Sequence, residues 1–382
     1  MAIAEAVKRC RPNVISAYPI TPQTHIVEDL AQMVADGELK AEFVNVESEF
    51  SAASVCLGAS ATGARAYTAT TSQGLLLMAE VLFNIGGLRL PIVLTCANRA
   101  VSSPLSIWND HQDAMTVRDS GWIQLWAEDN QEAADMHFQA FKIAERVSLP
   151  VMVNMDGFVL THAFEPVDMP EQEEIDAFLP PFQPKYRLDP ANPLTFGYLA
   201  EPDKYMEARY ILHRALDNAL PVIADVAAEF KRKFGRGTDP FVEGYTLEDA
   251  EVVLVGMGSM MGTVKDAIDE MREEGTKVGA LRLRTFRPFP KDAVRNALRN
   301  ARSVAVMERA ISLGNGGILS NELKEALYGA KTMPNIGSFI VGLGGRDVTT
   351  DTVRKVAKDA ANMAHCTEFV DLRMELIAEG DR

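Results

Sequence analysis

Arg99 follows directly on the apolar run LPIVLTCAN (90 to 98), where a guanidinium can grip a carboxylate through two hydrogen bonds at once. Three other turns of the chain carry residues suited to the same kind of work. In SAYPITPQT (16 to 24), Pro19 and Pro22 bracket Thr21 and stiffen the turn, so the Thr21 hydroxyl could be held at a sheet edge; a structural turn alone would also explain the prolines. In TATTSQGLLLM (68 to 78), Ser72, Gln73, Gly74 and their backbone N–H groups offer donors at a helix start, which suits an anionic or carbonyl group, with N-capping as the plainer reading. In FVNVESEFSAAS (43 to 54), Glu47 and Glu49 stand where a β-like run gives way to small residues. Acids at a helix N-terminus are favoured by its dipole, and that alone accounts for the pair.

Each of these turns lies between a β-like and a helical segment. The first half alternates such segments: NVISAYPI, AEFVNV, ARAYTATT, LPIVLTCAN and LPVMVNMDG read as strands, and IVEDLAQMVADGEL, SAASVCLGASATG, GLLLMAEVLFNIGGL and DNQEAADMHFQAFKIAERV as helices. That pattern builds a doubly wound α/β domain, in which open sheets bind ligands at the carboxyl ends of the strands. The stretch from about 163 to 207 is proline-rich and reads as an extended linker, followed by a helix at about 206 to 234 with Pro221 as a kink point. A second α/β unit spans 241 to 382, giving a first domain over 1 to 235. Within the second, Gly256-x-Gly258 follows a strand, but Arg282 and Arg284 stand where a dinucleotide site needs an acid for the ribose.

A chain of 382 residues with 47% hydrophobic and 24% charged residues suits two globular domains. Its net charge of -15 disfavours nucleic acid and anionic membranes, and no apolar run is long enough to span a bilayer. The N-terminal MAIAEAVKRCRP lacks a signal-peptide core, so a cytoplasmic location is expected. Cys10, Cys56, Cys96 and Cys366 show no C-x-x-C spacing; they read as reduced, mostly buried thiols rather than ligands of zinc or an iron–sulfur cluster. His111 lies between Asp110 and Asp113 in a long polar loop (94 to 122), yet no second histidine is near and no metal site is expected.

Taken together, these segments resemble the alpha subunit of pyruvate:ferredoxin oxidoreductase, of the thiamine-diphosphate-dependent 2-oxoacid:acceptor oxidoreductases. The matching motifs are Y-P-I-T-P (Tyr18 to Pro22), E-x-x-A (Glu49 to Ala52), T-x-S-Q-G-L-x-L-M (Thr70 to Met78) and S-I-W-x-D-H-Q-D (Ser106 to Asp113). The strand end Val151 to Phe158, the G-x-G-S-x-x-G turn and R-x-F-R-P-F-P (Arg284 to Pro290) extend the likeness over most of the chain. The resemblance implies a pyrimidine-binding domain for thiamine diphosphate and a second domain like the C-terminal domain of transketolase. It assigns Glu49 to the pyrimidine ring nitrogen, Thr21 and Arg99 to the substrate carboxylate, and Ser72, Gln73 and Gly74 to cofactor binding; Asp110 and His111 fall in or near the site.

The same resemblance implies partners, because the GDG signature of the diphosphate-and-magnesium domain is not in this sequence. A beta subunit would carry that domain and its Mg2+. Gamma and ferredoxin-like delta subunits would complete the complex, iron–sulfur clusters would lie on partner subunits, and ferredoxin and coenzyme A would be co-substrates. The expected reaction is oxidative decarboxylation of pyruvate to acetyl-CoA and CO2. Alternatives are a 2-oxoisovalerate or 2-oxoglutarate enzyme, the loop with Trp108 and Asn109 shaping the pocket, or a non-catalytic scaffold subunit.

Overall fold

Apolar runs without alternation suit strands covered on both faces, as parallel sheets require. In the computed structural model, which describes residues 1–330, 333–360 and 367–381, these runs become the centre of two sheets. The strands are β1 (Val14–Ala17), β2 (Glu42–Asn45), β3 (Ala66–Thr70), β4 (Val93–Asn98), β5 (Ile123–Trp126), β6 (Val151–Asp156), β7 (Val242–Tyr245), β8 (Val252–Gly256), β9 (Val278–Leu283), β10 (Thr285–Arg287), β11 (Ser303–Glu308), β12 (Asn335–Ile340) and β13 (Thr367–Phe369). Every residue of β3, β4, β5 and β6 is buried, whereas the edge strand β2 is partly exposed.

The chain divides into two units, Met1–Glu243 with Arg284–Pro290, and Gly244–Leu283 with Lys291–Arg382. The first unit's sheet has the order β10-β5-β6-β4-β3-β1-β2, parallel except for β10, which runs antiparallel to β5. Between β1 and β3 the winding reverses, since β1 connects outward to β2 on one side and the chain then crosses to β3 on the other. Such a reversal opens a crevice at the carboxyl edge of the sheet. The helix Glu49–Ala61 packs on β1 and β3, and its Ala52, Ala53 and Cys56 are completely buried. Residues this small let its backbone lie close to the sheet. The core joins Ile15, Tyr67, Val93 and Val151 of the strands to Phe138, Phe141 and Phe230 of the helices Asn130–Val147 and Ala219–Phe234.

Several segments differ from the sequence reading. The region 163 to 207 is not extended throughout: Gln172–Phe178 is a helix, closed at its start by reciprocal hydrogen bonds between Glu171 and Glu174, with Ile175 and Phe178 buried. Instead of one kinked helix over 206 to 234 there are two, Tyr205–Asp217 and Ala219–Phe234; the break falls at Asn218, so Pro221 sits in a first turn, where its missing N–H costs nothing. The segment GLLLMAEVLFNIGGL likewise splits into Ser72–Leu77 and Ala79–Leu88. Arg284–Pro290 leaves the second unit to add β10 to the first sheet, and the Arg284 Nε bonds Glu132 Oε1 at 2.6 Å. Cys10, Cys56 and Cys96 are free and buried, which pushes the Cys56 thiol up to about 12 and the other two upward as well. Cys366 lies outside the described residues. No described helix is long and apolar enough to cross a membrane.

The second sheet has the order β13-β12-β11-β8-β9-β7. Its Gly256 is explained by packing: a Cβ there would meet Met260 Cε at 2.7 Å and Met261 Sδ at 2.8 Å. At the end of β11 the buried Glu308 carboxylate accepts hydrogen bonds from Leu319 N (2.7 Å) and Ser320 N (3.3 Å), in the space left by the absent side chain of Gly317. Burial pushes its pKa from 4.5 to about 7, against the pull of those N–H groups. The folded state therefore keeps a proton that the unfolded state releases, so the associated stability is full below pH 4.5 and is lost as pH rises through 7, in total about 3 kcal/mol. Glu308→Gln keeps an acceptor for Leu319 without the charge. Thermal unfolding should show a gain over the parent chain at pH 8 that shrinks towards pH 5; an equal gain at both would refute the neutral carboxyl.

Candidate active site

The turns singled out in the sequence all follow strands of the first sheet at its carboxyl edge: Thr21 after β1, Glu49 after β2, Ser72 to Gly74 after β3 and Arg99 after β4. Gln23 draws two of them together, its Nε2 donating to Ala69 O (2.6 Å) and Tyr18 O (3.2 Å) across the crevice between β1 and β3. The two acids of the β2 turn have different environments. Ser48, rather than either glutamate, caps the helix, accepting from Ser51 N at 3.3 Å. Glu47 is exposed and accepts a hydrogen bond from the Ser51 hydroxyl, which lowers its pKa. Glu49 is only 6% exposed, and its carboxylate has no hydrogen-bond or ion-pair partner among the described residues. A carboxylate enclosed in this way leaves its hydrogen-bond donor to be supplied by a ligand.

Gly74 is what lets the β3 turn approach that carboxylate. A Cβ on Gly74 would lie 2.6 Å from Glu49 Oε1 and would press on Thr70 Oγ1 as well. The Thr70 hydroxyl beside it is also buried without a partner among the described residues, as is Gln73 Nε2 in the same turn, so the turn holds a hydroxyl and an amide donor free for a ligand. Gly74→Ala should displace Glu49 and cut any activity that depends on this carboxylate at least about tenfold, the loss expected when a positioned group moves by an ångström or so. An activity assay alongside a melting curve would check this; unchanged activity would show that the cradle tolerates a methyl group.

Ser72 is not the free donor the sequence suggests. Its backbone is left-handed (φ +49°), its N–H goes to Asp113 Oδ2 at 2.9 Å, and its hydroxyl is within reach of Ala100 O and Gln73 Oε1. A non-glycine residue held there carries strain of about 1–3 kcal/mol, which such internal bonds must offset. Arg99 is 6% exposed; its Nη1 reaches Thr21 O (2.8 Å), its Nε Ser106 O (3.0 Å) and its Nη2 Gln73 Oε1 (3.4 Å). All three are neutral acceptors, and no described carboxylate pairs with the guanidinium. Burial lowers its pKa, opposed by the nearby charge of Asp113. The Thr21 side chain is exposed at the rim.

Asp110 and His111 point into the fold. Asp110 Oδ1 accepts from Gln112 N at 3.0 Å, starting the short helix Gln112–Thr116, and His111 Nε2 bonds Asp156 Oδ1 at 2.7 Å with its ring 4.5 Å from that of Trp126. Beside them Asn109 is 2% exposed with neither amide atom bonded among the described residues, and the exposed Trp108 ring lies tilted against that of Phe158, their centroids 4.6 Å apart. Among the described residues no group of three or more His, Cys, Asp or Glu could hold a metal. Asp113, Asn98 and Gln23 support the turns; Asp113 closes the S-I-W-x-D-H-Q-D motif, but neither the motif nor the residues around Asn98 and Gln23 marked them as supports. Only the interlocking of three turns gives them their place.

A doubly wound unit that gathers an unpartnered glutamate, hydrogen-bond donors and an arginine along the carboxyl edge of its sheet has the architecture of a ligand-binding α/β protein. Residues 5–228 match the thiamine-diphosphate-binding domain of pyruvate flavodoxin/ferredoxin oxidoreductase, and 250–353 match core domain II of pyruvate:ferredoxin oxidoreductase. The chain belongs to this family of 2-oxoacid:ferredoxin oxidoreductases. It is 52% identical over 98% of its length to the pyruvate synthase subunit PorA of Methanosarcina barkeri, covering 96% of that protein. Its identity is 47% over 94% of its length to the ketoisovalerate oxidoreductase subunit VorA of Pyrococcus abyssi, covering 91% of that protein. Among solved structures, a 2-oxoglutarate:ferredoxin oxidoreductase from Magnetococcus marinus matches with TM-score 0.68 at 21% identity, over 94% of this chain and 64% of that one. A split-gene transketolase matches with TM-score 0.58 at 15% identity, over 95% of this chain and 98% of that one, so the transketolase-like expectation for the fold holds.

Proposed function

We propose that this chain is the alpha subunit of a pyruvate synthase, which oxidatively decarboxylates pyruvate with coenzyme A to acetyl-CoA and CO2 and passes electrons to ferredoxin. The observation that carries the reading is the buried Glu49 carboxylate with no partner among the described residues, set against Gly74 at the switch point. Bound thiamine diphosphate supplies the carbon nucleophile of the reaction. Glu49 accepts a hydrogen bond from the pyrimidine ring nitrogen and so sets where the ring's proton resides. Gln73 Nε2 and the Gly74 turn hold the same ring. Arg99 binds the 2-oxoacid carboxylate, with the Thr21 hydroxyl as a second contact, and a threonine rather than a charged residue at that position suits a small neutral chain.

The rest of the machinery lies on partners in this proposal. A beta subunit brings the diphosphate-binding domain with Mg2+, and the iron–sulfur clusters sit on partner subunits including a ferredoxin-like delta beside gamma. Buried free thiols suit a reducing cytoplasm, where coenzyme A and ferredoxin are found. A second reading, with 2-oxoisovalerate as substrate, is favoured by the 47% identity to the VorA relative. The test is to purify the chain with its co-purifying subunits and to assay dye reduction with pyruvate, 2-oxoisovalerate and 2-oxoglutarate, with and without coenzyme A. Pyruvate should give the highest kcat/KM. If no 2-oxoacid supports reduction by an intact complex, the reading fails.

A further inference from the structure

We infer that Asp113 is a positioning residue of this site: one buried carboxylate that sets the β3 turn and the β4 turn relative to each other. The inference rests on the roles just proposed for those turns. Asp113 is 0% exposed, yet it makes no ion pair with a side chain among the described residues. Its Oδ2 accepts from Ser72 N (2.9 Å) and from Arg99 N (3.0 Å), with Cys96 Sγ at 3.5 Å; its Oδ1 accepts from Asn98 Nδ2 (3.0 Å) and Ala114 N (2.7 Å).

A carboxylate placed only to start its own helix would spend its oxygens on that helix's first N–H groups, whereas here only Ala114 belongs to it. The remaining donors come from the β3 turn and from the end of β4 with its turn; Gln73 Oε1 also accepts from Ser72 and Arg99, but through their side chains, whereas Asp113 holds their backbone N–H groups. At Ser72 the bond fixes the N–H of a left-handed residue, one step before the donor Gln73 and two before the Gly74 that meets Glu49. At Arg99 it fixes the N–H of the residue whose guanidinium reaches Thr21 and Gln73. Slack at Asp113 thus loosens the cofactor cradle and the substrate grip together. The charge matters as well as the shape, because two N–H groups converge on one oxygen, and an ionised oxygen accepts both strongly.

Asp113→Asn has the same shape, but its NH2 must face either the Ser72 and Arg99 pair or the Asn98 and Ala114 pair, donor against donor. In the assembled complex it should raise the dissociation constant for thiamine diphosphate and the KM for the 2-oxoacid each by about tenfold, with kcat changed less than about threefold. A merely structural role would lower the melting temperature and the yield of complex while leaving both constants unmoved, and that outcome in assembled enzyme overturns the inference. Should Asp113→Asn fail to assemble, Asn98→Ala removes one donor to the same carboxylate without adding any, and both constants should rise about threefold; no change in either overturns it. Lack of turnover by the parent complex would instead refute the proposed function, and the thiamine diphosphate dissociation constant, which needs no turnover, would still decide the role of Asp113.

Discussion

Glu49→Gln should lower 2-oxoacid-dependent dye reduction by the assembled complex about 10²- to 10⁴-fold, the range by which a positioned acid–base group accelerates a reaction. The substitution changes almost no volume. Glu49 is 6% exposed and without a partner among the described residues, so the apo chain spends stability on keeping it. Replacing it with a neutral amide should leave the melting temperature of the apo chain the same or higher while turnover collapses. That opposition is diagnostic, because a residue kept for structure would lose both together. Glu47→Gln is the control: its carboxylate is exposed and bonded only to the Ser51 hydroxyl among the contacts seen, so turnover should stay within about twofold. A complex that retained full turnover with glutamine at 49 would remove Glu49 from the chemistry.

What could be read from the sequence was set by local signals. β1, β3, β4 and β6 were readable because buried parallel strands are continuous apolar runs; Thr21 and Arg99 follow the ends of such runs, and Glu49 stands where the edge strand β2 gives way to a run of small residues. β5 was missed: Ile123–Trp126 is four residues at the end of a polar loop, too short to show a period. β10 was assigned to the wrong unit for a different reason, since nothing local to Thr285–Arg287 tells which sheet it will extend; the answer lies in its pairing with Gln124 and Leu125, some 160 residues away. The site divides along the same line. Side chains proposed to act on a ligand stand out by their type near strand ends, whereas Asp113 looked like the last acid of a polar loop and Ser72 like a spare donor, although both lie within family motifs. Their roles are created by three turns meeting, and no periodicity within any one turn encodes the meeting.

Arg99→Lys should raise the KM for the 2-oxoacid about 10- to 100-fold and leave the KM for coenzyme A unchanged. The guanidinium already spans Thr21 O, Ser106 O and Gln73 Oε1 from a single planar group, at 2.8, 3.0 and 3.4 Å. A lysine keeps the charge but is a single point of it and cannot hold three such directions at once. What is lost is therefore geometry. One charge-assisted hydrogen bond to a carboxylate contributes about 1.5–3 kcal/mol, and each 1.4 kcal/mol is tenfold in affinity, which sets the expected range. The same substitution also frees the carbonyls of Thr21 and Ser106, so a competing outcome is a loose rim that weakens every ligand alike. The two substrates separate the cases: a rise confined to the 2-oxoacid assigns Arg99 to the carboxylate, and an equal rise for coenzyme A makes it a strut between the β1 turn and the loop after β4. An unchanged KM for both would show that the carboxylate is bound elsewhere.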